Sequence, residues 1–323
     1  MRICIATPAP RGSTKGNRIT AIRWARLLRD LGHRVVVSET FESQRCDLLV
    51  ALHALRSYVS VARYRKCRPH DPLVVALTGT DLYRDLARSA RARRALEFAN
   101  RLVVLQPEAL AAVPVEYAEK TRVIFQSAQS AARPVQPLSR CFEVCVVGHL
   151  RGVKDPFRTA LASRQLPDTS RIQVTHIGAA LSPGMGRRAL QETALNPRYR
   201  WWGERSRAEA RRLISRCRLL VVSSKMEGGP NVATEAIAAG TSILATAIPG
   251  MIGLLGRHYP GYFPVGDTCR LATLLDRCEC DRKFQGRLRR EIRRLRPLVS
   301  PSRERRCWQQ LVSEVSSVQR SKT

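Results

Sequence analysis

Residues 2–38 read RICIATPAPRGSTKGNRITAIRWARLLRDLGHRVVVS. An apolar run, RICIAT, enters a loop with two glycines. A segment follows in which Ile19, Trp24, Leu27, Leu28 and Leu31 recur near helical spacing. Gly32 suits the end of that helix, and HRVVVS is a second strand. The same alternation continues through CDLLVAL, PLVVALT, RLVVL and TRVIF, with helical stretches between them. Near-continuous apolar strands alternating with helices predict a parallel sheet covered on both faces.

Working outward, 126–140 is QSAQSAARPVQPLSR, rich in Ser, Ala, Gln and Pro, and reads as a linker. The alternation then restarts with FEVCVVGHL, RIQVTHIG, YRWWG, RLLVVSS and TSILATA. The organisation predicted is a Rossmann-like domain over 1–126 and a linker over 127–140. A second domain of the same class follows over 141–299, then a closing helix over 300–323 that packs back on the first domain. In that helix Trp308, Leu311 and Val315 share a face behind Ser300-Pro301. Two doubly wound domains of this kind are expected to face each other across a cleft, with ligands at the carboxyl ends of the strands.

The bulk numbers narrow the function. With 323 residues and 44% hydrophobic composition, the chain can bury two cores. No run of apolar residues is long enough to cross a bilayer and no signal-peptide pattern is present, so a soluble cytoplasmic protein without membrane insertion is expected. The formal net charge is +30, and all but seven of the 56 cations are arginines. They are scattered along helical segments, and no zinc-finger, RNA-recognition or basic-zipper pattern occurs. A specific nucleic-acid partner is therefore not expected. The ten cysteines form no CxxC and no zinc spacing. Several, among them Cys4, Cys145 and Cys217, read as small core residues of a reducing compartment.

The strongest chemical motif is SSKMEGGPNVATEAIAAG, 223–240. Gly228 and Gly229 let the backbone approach a ligand, and Asn231 opens a helix whose amides point at it. Glu227 at the loop and Glu235 on the helix are placed to accept hydrogen bonds from two sets of hydroxyls. The plain alternative is a glycine turn before an amphipathic helix. A second motif is VVGHLRGVKDPF, 146–157, which puts Arg151 and Lys154 after the first strand of the second domain. Two cations there are suited to neutralising a departing diphosphate.

Together these motifs resemble the retaining nucleotide-sugar glycosyltransferases built from two Rossmann-like domains, the GT-B architecture. The resemblance implies that the Glu-x7-Glu pair contacts the donor sugar and the ribose, and that an Arg and a Lys bind the diphosphate. It also implies no resident cofactor and no metal, since UDP-sugar is a substrate; no Asp-x-Asp occurs. The chain has His149 where that family commonly has Arg, so Arg151 is a displaced match. In finer detail KGNRITAIRWARLLRDLGHRV, LTGTDLYRDL, MEGGPNVATEA and IPGMIGLLGRHYPGYFPVGD resemble the selenosugar synthases of selenoneine biosynthesis. That resemblance implies transfer from UDP-N-acetylglucosamine or UDP-glucose to selenophosphate. The other enzyme reading is an ordinary UDP-sugar transferase with a lipid, polysaccharide or small-molecule acceptor. A polyanion-binding protein is the reading from outside enzymology.

If the donor diphosphate belongs to Arg151 and Lys154, the first loop is free for a second anion. Gly12 and Gly16 expose backbone amides, Lys15 and Arg18 supply charge, and the helix from Asn17 adds its positive end. A loop that only touches the donor phosphates is the alternative. His53, Thr80 and Asp81 follow first-domain strands and are weaker candidates for the sugar or acceptor, Asp81 being equally a helix cap. Trp201 and Trp202 are placed to stack on a base or to fill core.

Overall fold

The computed structural model describes residues 1–129 and 135–320. Of the linker expected over 127–140, positions 130–134 lie outside the described residues, as do 321–323 of the closing segment. The strands are β1 (Arg2–Ala6), β2 (Arg34–Ser38), β3 (Leu48–Leu52), β4 (Leu73–Ala76), β5 (Arg101–Val104), β6 (Thr121–Val123), β7 (Phe142–Val147), β8 (Ile172–Ile177), β9 (Tyr199–Trp201), β10 (Leu219–Val222), β11 (Ser242–Thr246) and β12 (Tyr262–Phe263). The helices are α1 (Gly16–Asp30), α2 (Tyr58–Cys67), the single turn α3 (Leu86–Arg88), α4 (Ala90–Phe98), α5 (Arg158–Ser163), α6 (Pro183–Leu195), α7 (Arg207–Arg216), α8 (Asn231–Ala239), α9 (Pro249–Leu255), α10 (Thr268–Cys280), α11 (Arg282–Leu295) and α12 (Pro301–Arg320).

The chain divides into two compact units. The first comprises Met1–Ser127, Glu227–Gly229 and Pro301–Thr323. Its sheet has the order β2-β1-β3-β4-β5-β6, with every pair parallel. Strands β3 and β4 are buried along their whole length, which is why they read as unbroken apolar runs. Helix α1 covers one face with Ala21, Trp24, Ala25, Leu27 and Leu28; of the stripe read from sequence, Trp24, Leu27 and Leu28 are buried and Ile19 and Leu31 half-buried. Trp24 meets Trp308 of α12 edge-on, with ring centroids 4.7 Å apart.

Helix α12 belongs to this first unit because of a carboxylate as well as its apolar face. Glu304 is 1% exposed. It accepts from Trp24 Nε1 at 2.7 Å, from Arg23 Nε at 3.1 Å, and from the Ser127 amide at 2.8 Å and hydroxyl at 2.5 Å. A second carboxylate, Glu314, pairs with Arg101 of β5 and Arg122 of β6. The helix is thereby tied to α1, to the segment that follows β6 and to the far sheet edge.

The second unit comprises Ala128–Met226 and Pro230–Ser300. Its sheet, β12-β11-β10-β7-β8-β9, is again all parallel. Cys145 and Cys217 are buried side by side in its core. Glu143, 3% exposed on central β7, is satisfied by Arg216 Nε at 2.8 Å and Thr175 Oγ1 at 3.1 Å. Strand β12 has two residues and no periodicity of its own; its pairing with β11 defines it.

Candidate active site

Each sheet reverses its strand order once. In open α/β sheets the loops at such a reversal are where ligands bind. In the second unit the reversal lies between β7 and β10, so its loops are Gly148–Asp155 and the segment after Val222. Gly152–Lys154 forms a single helical turn, closed by Asp155 in the left-handed region at φ 44°. The Ser223 hydroxyl donates to the carbonyls of Lys154 (3.2 Å) and Asp155 (2.9 Å), and the Lys225 amide to that of Val153 (2.8 Å). The two loops are therefore laced together. The Lys154 side chain is half-buried and that of Arg151 exposed. His149 uses Nδ1 to accept from the Ala179 amide.

Under this loop Gly178 approaches so closely that a Cβ would lie 2.0 Å from the Gly148 carbonyl oxygen. His176 supports the same carbonyl. Its Nε2 donates to Gly148 at 3.2 Å, which leaves Nδ1 to accept from the Tyr199 hydroxyl at 2.9 Å. Burial lowers its pKa from 6.5 to about 4. An unfolded chain therefore binds this proton below pH 6.5 while the folded one does not, and stability falls as pH drops through that window. The loss by the acid end is at most roughly 3 kcal/mol. Urea unfolding between neutral pH and the folded pKa should show this slope, and His176→Gln should flatten it; an unchanged slope contradicts the assignment.

Helix α8 opens at Asn231 behind Pro230, and Glu235 sits in its second turn, 8% exposed. A partner that sequence reading missed is Arg207, whose Nη2 lies 3.2 Å from Glu235 Oε1. Arg207 is the first residue of α7, set there by the Ser206/Glu209 capping box. That box is legible in SRAE; the proximity of α7 to α8 is not. Trp201 is half-buried and donates Nε1 to the Gly178 carbonyl, whereas Trp202 is exposed, so the core reading fails for Trp202.

In the first unit the reversal lies between β1 and β3. The loop after β1 carries Gly12 at φ 81°, and Gly12, Lys15 and Gly16 are exposed. Lys15 caps α1 by its backbone, its carbonyl accepting from Arg18 and Ile19. Ahead of those bonds stand the amides of Gly16 and Asn17, at the positive end of a 15-residue helix with no acid in its first turn. Asn17 and Arg18 are half-buried.

The three weaker candidates, His53, Thr80 and Asp81, form one hydrogen-bonded cluster behind β3 and β4. Asp81 is fully buried and its carboxylate is engaged within the fold: it accepts from the amides of Ala54, Thr78 and Gly79, all near 3 Å, and shapes the loop after β4. His53, 2% exposed at φ 75°, is likewise buried. The Arg56 amide donates to its Nδ1, so Nε2 carries the proton and donates to Thr80 Oγ1 at 3.0 Å. Burial lowers the pKa of this imidazole, with Asp81 opposing. Thr80 is half-buried and keeps its own hydroxyl proton for another acceptor.

Glu227–Gly229 belong to the first unit. Glu227 is half-buried. A Cβ on Gly228 would stand 2.4 Å from the Thr78 carbonyl oxygen, and one on Gly79 2.7 Å from the Gly228 nitrogen. Only paired glycines allow these two loops to touch. Gly228→Ala should lower the stability of the unit by about 1–3 kcal/mol, as overpacking does. Calorimetric melting checks this; a wild-type midpoint would show that the loops part freely.

Two all-parallel six-stranded units, each with basic or glycine-rich loops at its point of reversal, define the GT-B class of two-domain transferases. The chain belongs to the glycosyl transferases group 1 family, whose model matches residues 132–294. Solved structures agree in fold. Anabaena Alr3699/HepE in complex with UDP and glucose is 18% identical with a TM-score of 0.77, over 98% of this chain and 100% of that one. Sucrose-phosphate synthase (tll1590) from Thermosynechococcus elongatus is 16% identical with a TM-score of 0.73, over 98% and 99%. A glycosyltransferase from Rickettsia africae ESF-5 is 13% identical with a TM-score of 0.70, over 97% and 98%. No curated protein matches the sequence. Among the described residues no helix is long and apolar enough to cross a membrane.

Proposed function

We propose that this glycosyltransferase takes the sugar of UDP-N-acetylglucosamine or UDP-glucose and joins it to selenophosphate, releasing UDP. HepE, which shares the fold, has been solved with UDP-glucose. In this reading Lys154 and Arg151 meet the diphosphate, Glu235 the ribose, and Glu227 the sugar, with the amides at Gly228, Gly229 and Asn231 completing the donor site. The acceptor selenium forms a bond to the anomeric carbon as the carbon–oxygen bond to UDP breaks. Water then cleaves the selenium–phosphorus bond to give a 1-selenosugar and phosphate. Selenium is already a strong nucleophile, so positioning and stabilisation of the leaving UDP supply the catalysis.

The observation that carries the acceptor is the cationic turn Gly12–Arg18 at the start of α1, with Lys15 exposed and Arg18 half-buried. It offers amides, two cations and a helix end to a small anion. The motif resemblance supplies the identity of that anion. The test is incubation with each UDP-sugar, with and without selenophosphate, followed by mass spectrometry. A selenosugar formed only when selenophosphate is present supports the reading. Hydrolysis alone, or transfer only to a carbohydrate or lipid, overturns it.

The loop has its own test. Replacing Lys15 and Arg18 together by Ala should raise the apparent acceptor constant about tenfold or more, as loss of a charged hydrogen bond does. UDP affinity by calorimetry should stay near wild type. If UDP binding is lost and acceptor dependence is normal, the loop is a donor clamp.

A further inference from the structure

The reaction accounts for few of the chain's cations, and helix α11 concentrates many of the rest. Phe284, Leu288 and Ile292 bury one side of it. On the other side Arg282, Lys283, Arg287, Arg289, Arg290 and Arg293 are all exposed. None of these six has an ion pair among the described residues. Arg294 extends the row and pairs with Glu291, the sole acid of the helix. At 3.6 residues per turn these side chains fill a continuous arc of about 160°, along about 18 Å of helix. The buried stripe turns the charge of the helix outward, and a single acid among so many cations leaves that face strongly positive.

We propose that this face of α11 binds the phosphodiester backbone of a nucleic acid without reading its sequence. Guanidinium groups pair with phosphate oxygens in two-pronged fashion, which fits a face that is nearly all arginine. The helix exposes no aromatic side chain to stack on a base, so contacts stop at phosphate and sugar. Charge spread over a convex arc reaches phosphates on both sides of a helix lying along a groove. A flat lipid surface meets only part of that arc. The apolar residues of α11 are turned inward, leaving none to enter an acyl layer.

The test uses the full-length chain and two variants of equal charge. One carries Arg282, Arg287, Arg289, Arg290, Arg293 and Arg294 changed to Gln, which keeps helix propensity. The other carries Gln at six exposed arginines elsewhere: Arg26, Arg34, Arg45, Arg88, Arg91 and Arg212. Circular dichroism and melting establish that both are folded. Binding to fluorescein-labelled RNA and DNA duplexes of one length is followed by anisotropy over a salt series. Only the α11 variant should lose affinity, more than tenfold at physiological salt, and its salt slope should fall by roughly 3–5. The RNA and DNA arms say which phosphodiester is preferred. Equal losses in both variants would reduce the effect to net charge and overturn the proposal. So would α11-dependent binding to phosphatidylglycerol vesicles with none to either duplex.

Discussion

Glu304→Ala is expected to lower stability by about 3–5 kcal/mol, the range for breaking a buried charge pair. Arg23, itself nearly buried, would lose its carboxylate, and Trp24 Nε1 and the Ser127 amide would lose their acceptor together. The cavity left beside the Trp24–Trp308 pair adds to the loss. Urea unfolding followed by tryptophan fluorescence measures it. Glu304→Gln should cost less, because an amide oxygen still accepts one of these bonds and the loss is that of the carboxylate charge beside Arg23. A fall below 1 kcal/mol for Glu304→Ala would mean that the apolar face and the Glu314 pairs hold α12 without it.

The second large effect concerns chemistry and tests the donor assignment. Lys154→Ala is expected to reduce kcat by roughly 10²–10³, in line with removal of one group that stabilises charge developing in a transition state. The fold should be unaffected. The turn that carries Lys154 is held by its backbone, through Ser223 and Val153, and none of those bonds involves the ammonium group. A drop in kcat with UDP affinity changed much less is the signature of a contact that strengthens as the leaving group departs. Near-normal turnover removes Lys154 from the mechanism.

Much of this architecture was legible along the chain, because the central strands are buried on both faces and leave unbroken apolar runs. Among the described residues, eleven of the twelve strands fall inside runs marked from sequence. The Glu-x7-Glu spacing and the glycine loop were legible for the same local reason: spacing places Glu235 in the second turn of a helix that Asn231 starts. What escaped were properties that depend on which surfaces meet. Asp81 looked like a residue at the mouth of a strand, yet three converging amides bury it. Trp202 looked like core and is exposed at the end of an edge strand.

Glu304 shows the boundary most clearly. It stands in line with Trp308, Leu311 and Val315, on the stripe that the helix buries. The spacing was visible, but a glutamate in an arginine-rich segment reads as solvated until its partners are known. Those partners, Arg23, Trp24 and Ser127, are 177 to 281 residues away in the chain. The same holds for Arg207 and Glu235, 28 residues apart and joined only because α7 and α8 pack together. Periodicity records how each segment divides its own faces between core and water, and that sufficed for two parallel sheets and their loops. Desolvation and pairing of charge depend on groups brought together from distant segments, so the tertiary structure alone decided which carboxylates are buried, which histidines stay neutral and which glycines must be glycines.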